Sequence, residues 1–459
     1  MANTKLIVGS IIILLIVIGA AVYLAQKGGK QTTTTSPAAT QASASQPATQ
    51  ATQTVPSETT TQTQASANIK VVKIGALLPL TGDLASFGKA NEESILLAEK
   101  DVNKYLEEKG ANWRIKIVIV DTATDPATAK ERFDTLYQQG IRFFIGPMTS
   151  AELAQIVSLI QQGYKAVVIS QSSTAPSLAL KDTVFRFPPP DEFQGKVLAK
   201  LYQKDGVTHV IMVYRNDDWG SGLAGYIEKY AKAAGISIVQ KIPYDPKAAN
   251  FANVVEQIKT AVENLLNKGV PADKIGVELI GFDETANILE QANNYDVLKK
   301  VKWYGSDGSA LSQAVLQSPG AAEFAATVKW KNTITFSISD KTARVYCTLK
   351  KKLGYSPDPY SLIAYDAVWA MALAIEKAGG PNATPDAVAK AIPEVLKNYV
   401  GVSGKIVLNE YGDRAGSDYG IFTVVKTDDK YEWRLIELYK FEKDDIVPVQ
   451  GNPLSCEQQ

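Results

Sequence analysis

From Val71 to Ser306 the chain alternates short apolar, β-rich runs with helix-period segments, and this rhythm limits the fold more than any other feature. VKIGALLPL reads as a strand ending at Pro79, and TGDLASFG as a turn-rich loop. A helix is predicted from Lys89 to Glu108, with Ile95, Leu96, Leu97 and Leu106 apolar. Ile115 to Val120 is the next strand, Ala127 to Gln139 the next helix, and Phe143 to Ile145 and Ala166 to Ile169 two further strands. Strands separated by helices cannot pair as hairpins, so they build a parallel sheet covered on both faces.

Pro188-Pro189-Pro190 stops this unit after VFRF and reads as a crossing strand or hinge. The rhythm then restarts: helix Glu192 to Gln203, strand HVIMVY, helix Gly222 to Ala234, strand SIVQ, helix Phe251 to Asn267, strand KIGVELIGF, helix Glu284 to Gln291 and strand VKWYGS. The expected fold is α/β, two doubly wound parallel-sheet lobes joined by a hinge. Thr327 to Thr335 is extended, Lys341 to Leu353 and Pro359 to Ala378 are helical, and Gly404 to Tyr431 is rich in turns and short strands. These segments are expected to complete the lobes, giving residues 69–188 plus 327–420 in lobe 1 and 189–326 plus 421–459 in lobe 2. Asp366, Trp369 and Leu373 fall at helical spacing and read as core packing.

Ahead of the lobes, Leu6 to Ala25 is an uncharged stretch of about twenty residues, the length that crosses a bilayer. Tyr23-Leu24-Ala25-Gln26 lacks a small-x-small cleavage pattern, and no cysteine follows for lipidation. Residues 1–30 are therefore expected to be an uncleaved transmembrane anchor, the alternative being a cleaved signal peptide. Residues 31–68 are nearly all Thr, Ser, Gln, Ala and Pro, with Glu58 the only charge, which predicts a disordered stalk. The lobes are then expected on the extracytoplasmic face of the membrane. That setting permits a disulfide between Cys347 and Cys456, the alternative being two unrelated thiols.

The chemistry concentrates in two similar loops, RFFIGPMTSAELAQ and KAVVISQSSTAPSL. Each is an apolar strand that ends in a turn crowded with hydroxyls. Ser150 is expected to cap the helix from Ala151, and Ser172, Ser173 and Thr174 fill the second turn. Helix N-termini carry unpaired N–H groups and partial positive charge, which suits a small anion. No Lys or Arg stands in either loop, so a carboxylate fits better than a phosphate. Plain capping is the alternative reading of these hydroxyls.

Ligands of α/β sheets lie outside the carboxyl ends of strands. Those ends carry Thr81, Asp121, Ser150, Ser172 and Thr174 in the first unit, and Trp219, Phe282, Asp283 and Asp307 in the second. One lobe offers hydroxyls and helix N-termini, the other aromatics and carboxylates, a polarity suited to a zwitterion.

Other chemistries find little support. The 48 basic and 48 acidic residues balance, which gives no footprint for nucleic acid. One histidine, His209, and two cysteines leave little for a metal site, and no cofactor is expected. Gly220-Ser221-Gly222-Leu223-Ala224-Gly225 matches GxGxxG, but Arg215 to Trp219 separate it from its strand and SIVQ ends without an acidic residue. Both features speak against a dinucleotide fingerprint. No nucleophile elbow or phosphate-binding loop is present, so an enzyme is not expected.

Taken in order, VKIGALLPLTGDLASFG, DTATDPATAKERFDTL, IGPMTSAE, ISQSSTAP, NDDWGSGLA and WYGSDGSA resemble segments of the type I periplasmic solute-binding proteins of branched-chain amino acid ABC importers. The resemblance runs from Ile69 to the C-terminus. It implies that Ser150 and Thr174, with backbone at Ser172, hold a ligand α-carboxylate, and that Asp307 pairs with the ammonium. Phe87, Trp219 and Phe282 fall at aromatic positions of the family's pocket. It also implies an amino-acid-like ligand, closure about a hinge, and a membrane permease as partner; a sensing receptor ectodomain of the same fold is the alternative. Three departures put leucine or valine in doubt as ligand: aspartate for glutamate at Asp307, the bulkier Trp219 in place of tyrosine, and the added carboxylate of Asp283.

Overall fold

Strand β1 (Lys70–Leu78) carries an uninterrupted buried run from Ile74 to Leu78, the pattern of a strand covered on both faces. It pairs in parallel with β2 (Trp113–Asp121) on one side and β3 (Phe143–Ile145) on the other. Two further parallel strands, β4 (Val167–Ser170) and β5 (Val184–Arg186), complete a five-stranded sheet of order β2-β1-β3-β4-β5. Helices α1 (Ala85–Glu108), α2 (Pro126–Gln138) and α3 (Ser150–Gln161) make the crossovers. From β1 the chain goes to one neighbour and later returns to the other. The loops after β1 and β3 therefore part over the sheet and leave a crevice between them.

The computed structural model describes residues 69–449, Leu454 and Cys456. The anchor and stalk expected in residues 1–68 lie outside these. Among the described residues no helix is long and apolar enough to cross a membrane.

The second sheet starts with β6 (His209–Arg215), β7 (Ser237–Tyr244), β8 (Ile275–Ile280), β9 (Lys302–Gly305) and β10 (Lys331–Thr335), all parallel. Helices α4 (Asp191–Asp205), α5 (Asp218–Ala233), α6 (Ala252–Asn267), α7 (Thr285–Ala292), α8 (Gln313–Gln317) and α9 (Pro319–Thr327) precede or join these strands. After β10 come α10 (Thr342–Leu353), α11 (Pro359–Lys377), α12 (Pro385–Leu396) and the small antiparallel pair β11 (Val400–Gly401) and β12 (Gly404–Lys405). Strands β13 (Tyr419–Thr427), β14 (Lys430–Lys440) and β15 (Asp445–Pro448) then extend the second sheet antiparallel, to the order β15-β14-β13-β10-β9-β8-β6-β7.

Lys331–Thr335 was expected to return to residues 69–188; it lies instead beside β9, with Lys331 opposite Tyr304 and Asn332 opposite Gly305. The reason is connectivity. A helix following β9 brings the next strand back alongside it, as consecutive parallel strands usually lie. Helix α11 does reach the first unit, packing on α1 and touching β3 and β4. Within α11, Asp366 is buried and accepts the Tyr399 hydroxyl at 2.8 Å and the backbone N–H groups of Val402 and Ser403 at 2.8 and 2.7 Å. It anchors the small β11–β12 pair.

The chain passes between the sheets at residues 187–190, 336–341 and 406–418, and these crossings are stitched together. Arg186 grips Asp413 with two hydrogen bonds of 2.6 Å, both side chains being about fully buried. Thr335 Oγ1 donates to Ser417 Oγ at 2.8 Å, and Phe336 N–H to the Asp418 carbonyl at 2.7 Å. Cys347 of α10 and Cys456 are joined as a disulfide across 109 residues of sequence.

Candidate ligand site

A cavity of about 30 Å³ lies at the crevice. Its lining converges from both sheets. The first unit supplies Leu84 and Phe87 after β1, Met148, Thr149 and Ser150 between β3 and α3, and Ser172 and Thr174 after β4. The second supplies Trp219 at the start of α5, Phe282 after β8, and Asp307 and Gly308 after β9; Tyr360 comes from the first turn of α11. Phe87, Ser150, Ser172, Thr174, Trp219, Phe282 and Asp307, far apart in sequence, thus all face one space.

The hydroxyl end is built by helix-start chemistry. Thr149, not Ser150, caps α3: its Oγ1 accepts the Glu152 N–H at 3.1 Å, and the Glu152 carboxylate accepts the Thr149 N–H at 2.9 Å, a reciprocal capping box. The cap therefore sits one residue earlier than expected, which places Ser150 inside the helix with its side chain free to turn toward the second loop. Ser150 Oγ accepts the N–H groups of Thr174 at 3.2 Å and Ala175 at 3.1 Å. With its lone pairs occupied, its proton is available to donate.

Other hydroxyls fasten the loops to each other. Ser172 Oγ donates to the Met148 carbonyl at 2.6 Å, and Ser170 Oγ to that of Pro147 at 3.0 Å. Thr174 Oγ1 is different. It is buried and has no hydrogen-bond partner, a condition that costs free energy unless something else satisfies it.

The opposite wall is aromatic and rigid. Trp219 and Phe282 stack with centroids 4.7 Å apart, and the Arg215 guanidinium lies 3.8 Å over the far side of Phe282. Arg215 is itself held by Asp217 at 2.5 Å and Glu284 at 3.1 Å. Gly308 completes the wall, since a Cβ there would meet Trp219 at 2.6 Å and Phe282 at 2.7 Å.

The acidic end holds Asp307, whose Oδ2 accepts the Tyr360 hydroxyl while Oδ1 is buried without a partner. Burial raises its carboxyl above the usual range, against the pull of that hydrogen bond. Beside it stands Asp191, the first residue of α4, with both oxygens buried and unpartnered. Burial, then repulsion from Asp307, pushes Asp191 well up; the Thr174 hydroxyl and Trp219 indole stand near enough to oppose this without completing a hydrogen bond of normal geometry.

Asp191 and Tyr360 were not anticipated. Pro188-Pro189-Pro190 reads as a stop or hinge and Pro359 to Ala378 as a helix, and neither pattern singles out Asp191 or Tyr360. Two other acidic candidates are otherwise engaged. Asp283 accepts Ser86 Oγ at 3.0 and 3.2 Å and Ser312 Oγ at 2.5 Å, and does not line the cavity. Asp121 accepts the Thr81 hydroxyl at 2.7 Å and the Leu80 and Ala123 N–H groups at 2.9 and 2.8 Å, and so shapes the loop after β1. The GxGxxG run serves packing: a Cβ on Gly220 would lie 2.2 Å from the Arg215 carbonyl, and one on Gly222 3.1 Å from Pro176.

The arrangement resembles known proteins over most of its length. A family model described as periplasmic binding protein matches residues 71–430. An uncharacterised protein of Methanocaldococcus jannaschii is 36% identical over 394 residues, covering 82% of this chain and 91% of the relative. The leucine-, isoleucine-, valine-, threonine- and alanine-binding protein of Pseudomonas aeruginosa is 25% identical over 76% of this chain and 89% of its own. Among solved structures, the branched-chain amino acid transporter substrate-binding protein of Streptococcus pneumoniae superposes with a TM-score of 0.66 at 20% identity, covering 80% of this chain and 99% of that one. The chain belongs to the periplasmic binding protein family, with the type I fold of the Leu/Ile/Val-binding proteins.

Proposed function

We propose that the protein captures an amino acid or similar small zwitterion between its lobes on the extracytoplasmic side and delivers it to an ABC importer. The observation that carries this reading is the polarity of the cavity. Thr174 offers an unpartnered hydroxyl and Ser150 a hydroxyl proton at one end, and Asp307 offers an unpartnered carboxylate oxygen at the other. A ligand carboxylate would take the hydroxyls and its ammonium would meet Asp307.

The cavity has room for about two waters as the side chains stand. A ligand would therefore reach it only after the lobes part, and would be enclosed when Trp219 and Asp307 close onto the first unit. Closure moves a two-state equilibrium only through contacts the ligand makes in the closed state. The uncharged run Leu6 to Ala25 supports tethering near a permease, which raises local concentration without adding a contact.

Thermal unfolding of the full chain with L-alanine, L-threonine, L-leucine and amine-free carboxylates of the same carbon skeletons tests the reading. A zwitterion at a hundred times its Kd should add about 2.7 kcal/mol of stability. Equal shifts with and without the amine would sink it.

A further inference from the structure

We infer that Asp191 and Asp307 form a two-carboxylate subsite that takes the ligand's primary ammonium in exchange for a proton. This rests on the amino-acid reading and adds to it a second acidic residue and a pH dependence.

Two carboxylates lie within electrostatic reach of each other here in a dry place: Asp307 lines the cavity, and Asp191 is joined to the cavity residue Thr174, whose carbonyl accepts its backbone N–H at 3.0 Å. Asp191 is 1% exposed and Asp307 4%. Three of their four oxygens have no partner, and the fourth accepts the Tyr360 hydroxyl. Thr174, a lining residue of the cavity beside Asp191, adds a buried Oγ1 that completes no hydrogen bond of normal geometry.

The surroundings do not supply a compensating cation. Arg186 of β5 faces Asp191, but its Nε and Nη2 are committed to Asp413 and its Nη1 to the Ala175 carbonyl at 2.7 Å. From α11 and β13 the facing groups are the neutral phenols Tyr360 and Tyr419. Arg414 acts on Tyr419 but is turned to the carbonyls of Ser403 and Lys405 at 2.9 Å. Trp219 and Thr174 add only neutral donors.

Two ionised carboxylates in such a place repel strongly, so the empty site relieves itself by keeping one proton. Burial raises both carboxyls, and repulsion from Asp307 raises Asp191 further, consistent with this. When a primary ammonium arrives, its N–H donors satisfy both carboxylates and the proton leaves. The charge of the buried cluster is one negative before and after: a proton has been exchanged for an ammonium. A ligand whose nitrogen has lost its N–H donors to methyl groups could not make the exchange.

The sign follows from linkage. Because the empty site is protonated and the occupied one is not, affinity rises with pH until the empty pair ionises, by about tenfold per pH unit while one proton is released.

Two measurements on the full chain test this. In the empty protein, infrared difference spectra of wild type against Asp191→Asn and against Asp307→Asn should show a protonated carboxyl band at mildly acid pH that is lost in both variants. Calorimetry with L-alanine, L-threonine and L-leucine in two buffers of different ionisation enthalpy should show about one proton released per ligand bound by wild type. In Asp191→Asn, with circular dichroism unchanged, release and pH slope should both vanish. Absence of the band, or tight binding with no proton release, overturns the inference. A band present with none of the three amino acids bound would instead overturn the amino-acid reading, leaving the proton-sharing pair standing.

Discussion

The hydroxyl of Ser150 accepts the backbone N–H of Thr174 at 3.2 Å, so the first turn of α3 holds the loop after β4 in place. A residue expected to act by capping its own helix acts on the neighbouring loop instead. It also holds the adjacent Ala175 N–H at 3.1 Å.

Ser150→Ala should therefore lower both stability and affinity. Two buried N–H groups lose their acceptor, at about 1–3 kcal/mol for each that stays unsatisfied. A ligand carboxylate loses a donor, with about tenfold or more weaker binding. Urea unfolding and calorimetry measure the two effects, and unchanged affinity would remove the carboxylate from this loop.

Thr174→Val should behave differently. It removes a buried hydroxyl that has no partner in the empty site, so stability should hold or rise by about 1 kcal/mol while affinity drops roughly tenfold. A loss of stability with affinity intact would mean that the hydroxyl serves the fold.

Glu278 of β8 makes the protein sensitive to alkali. Burial pushes its carboxyl up to about 8, opposed only by the Tyr202 hydroxyl, which donates at 2.6 Å. The folded state keeps a proton that the unfolded chain gives up near its ordinary value of 4.5. The stability it contributes is thus full below that value and is lost as pH rises through about 8. Glu278→Gln should flatten this part of the profile, raising Tm relative to wild type at alkaline pH by several degrees. Parallel Tm profiles for the two proteins would refute the assignment.

The Cys347–Cys456 bond closes a loop of 109 residues. In the chain-entropy model such a crosslink contributes on the order of 4–5 kcal/mol by restricting the unfolded chain. Cys347→Ser should lower Tm accordingly, and alkylation of the non-reduced, denatured wild type should label no thiol. Two labelled thiols would rule the crosslink out.

Much of this architecture is written in local pattern. Strand runs such as VKIGALL and HVIMVY, broken by helix-period segments, already require parallel sheets, because periodicity and connectivity act over neighbouring residues. The strand ends could be read as well, and Phe87, Ser150, Ser172, Thr174, Trp219, Phe282 and Asp307 do meet around one cavity. Tertiary structure decided what lies between distant residues or turns on a single position. It moved the α3 cap from Ser150 to Thr149, which changes the direction in which the Ser150 side chain points. It set Lys331–Thr335 beside β9, engaged Asp283 with Ser86 and Ser312, and brought Asp191 and Tyr360 to Asp307. Asp191 and Asp307 are 116 positions apart by their numbers and share no local motif; only tertiary packing, in which α4 lies on β10 with Gln194 donating to the Thr333 carbonyl at 2.9 Å, brings them near, and packing of that kind leaves no periodic trace in a chain.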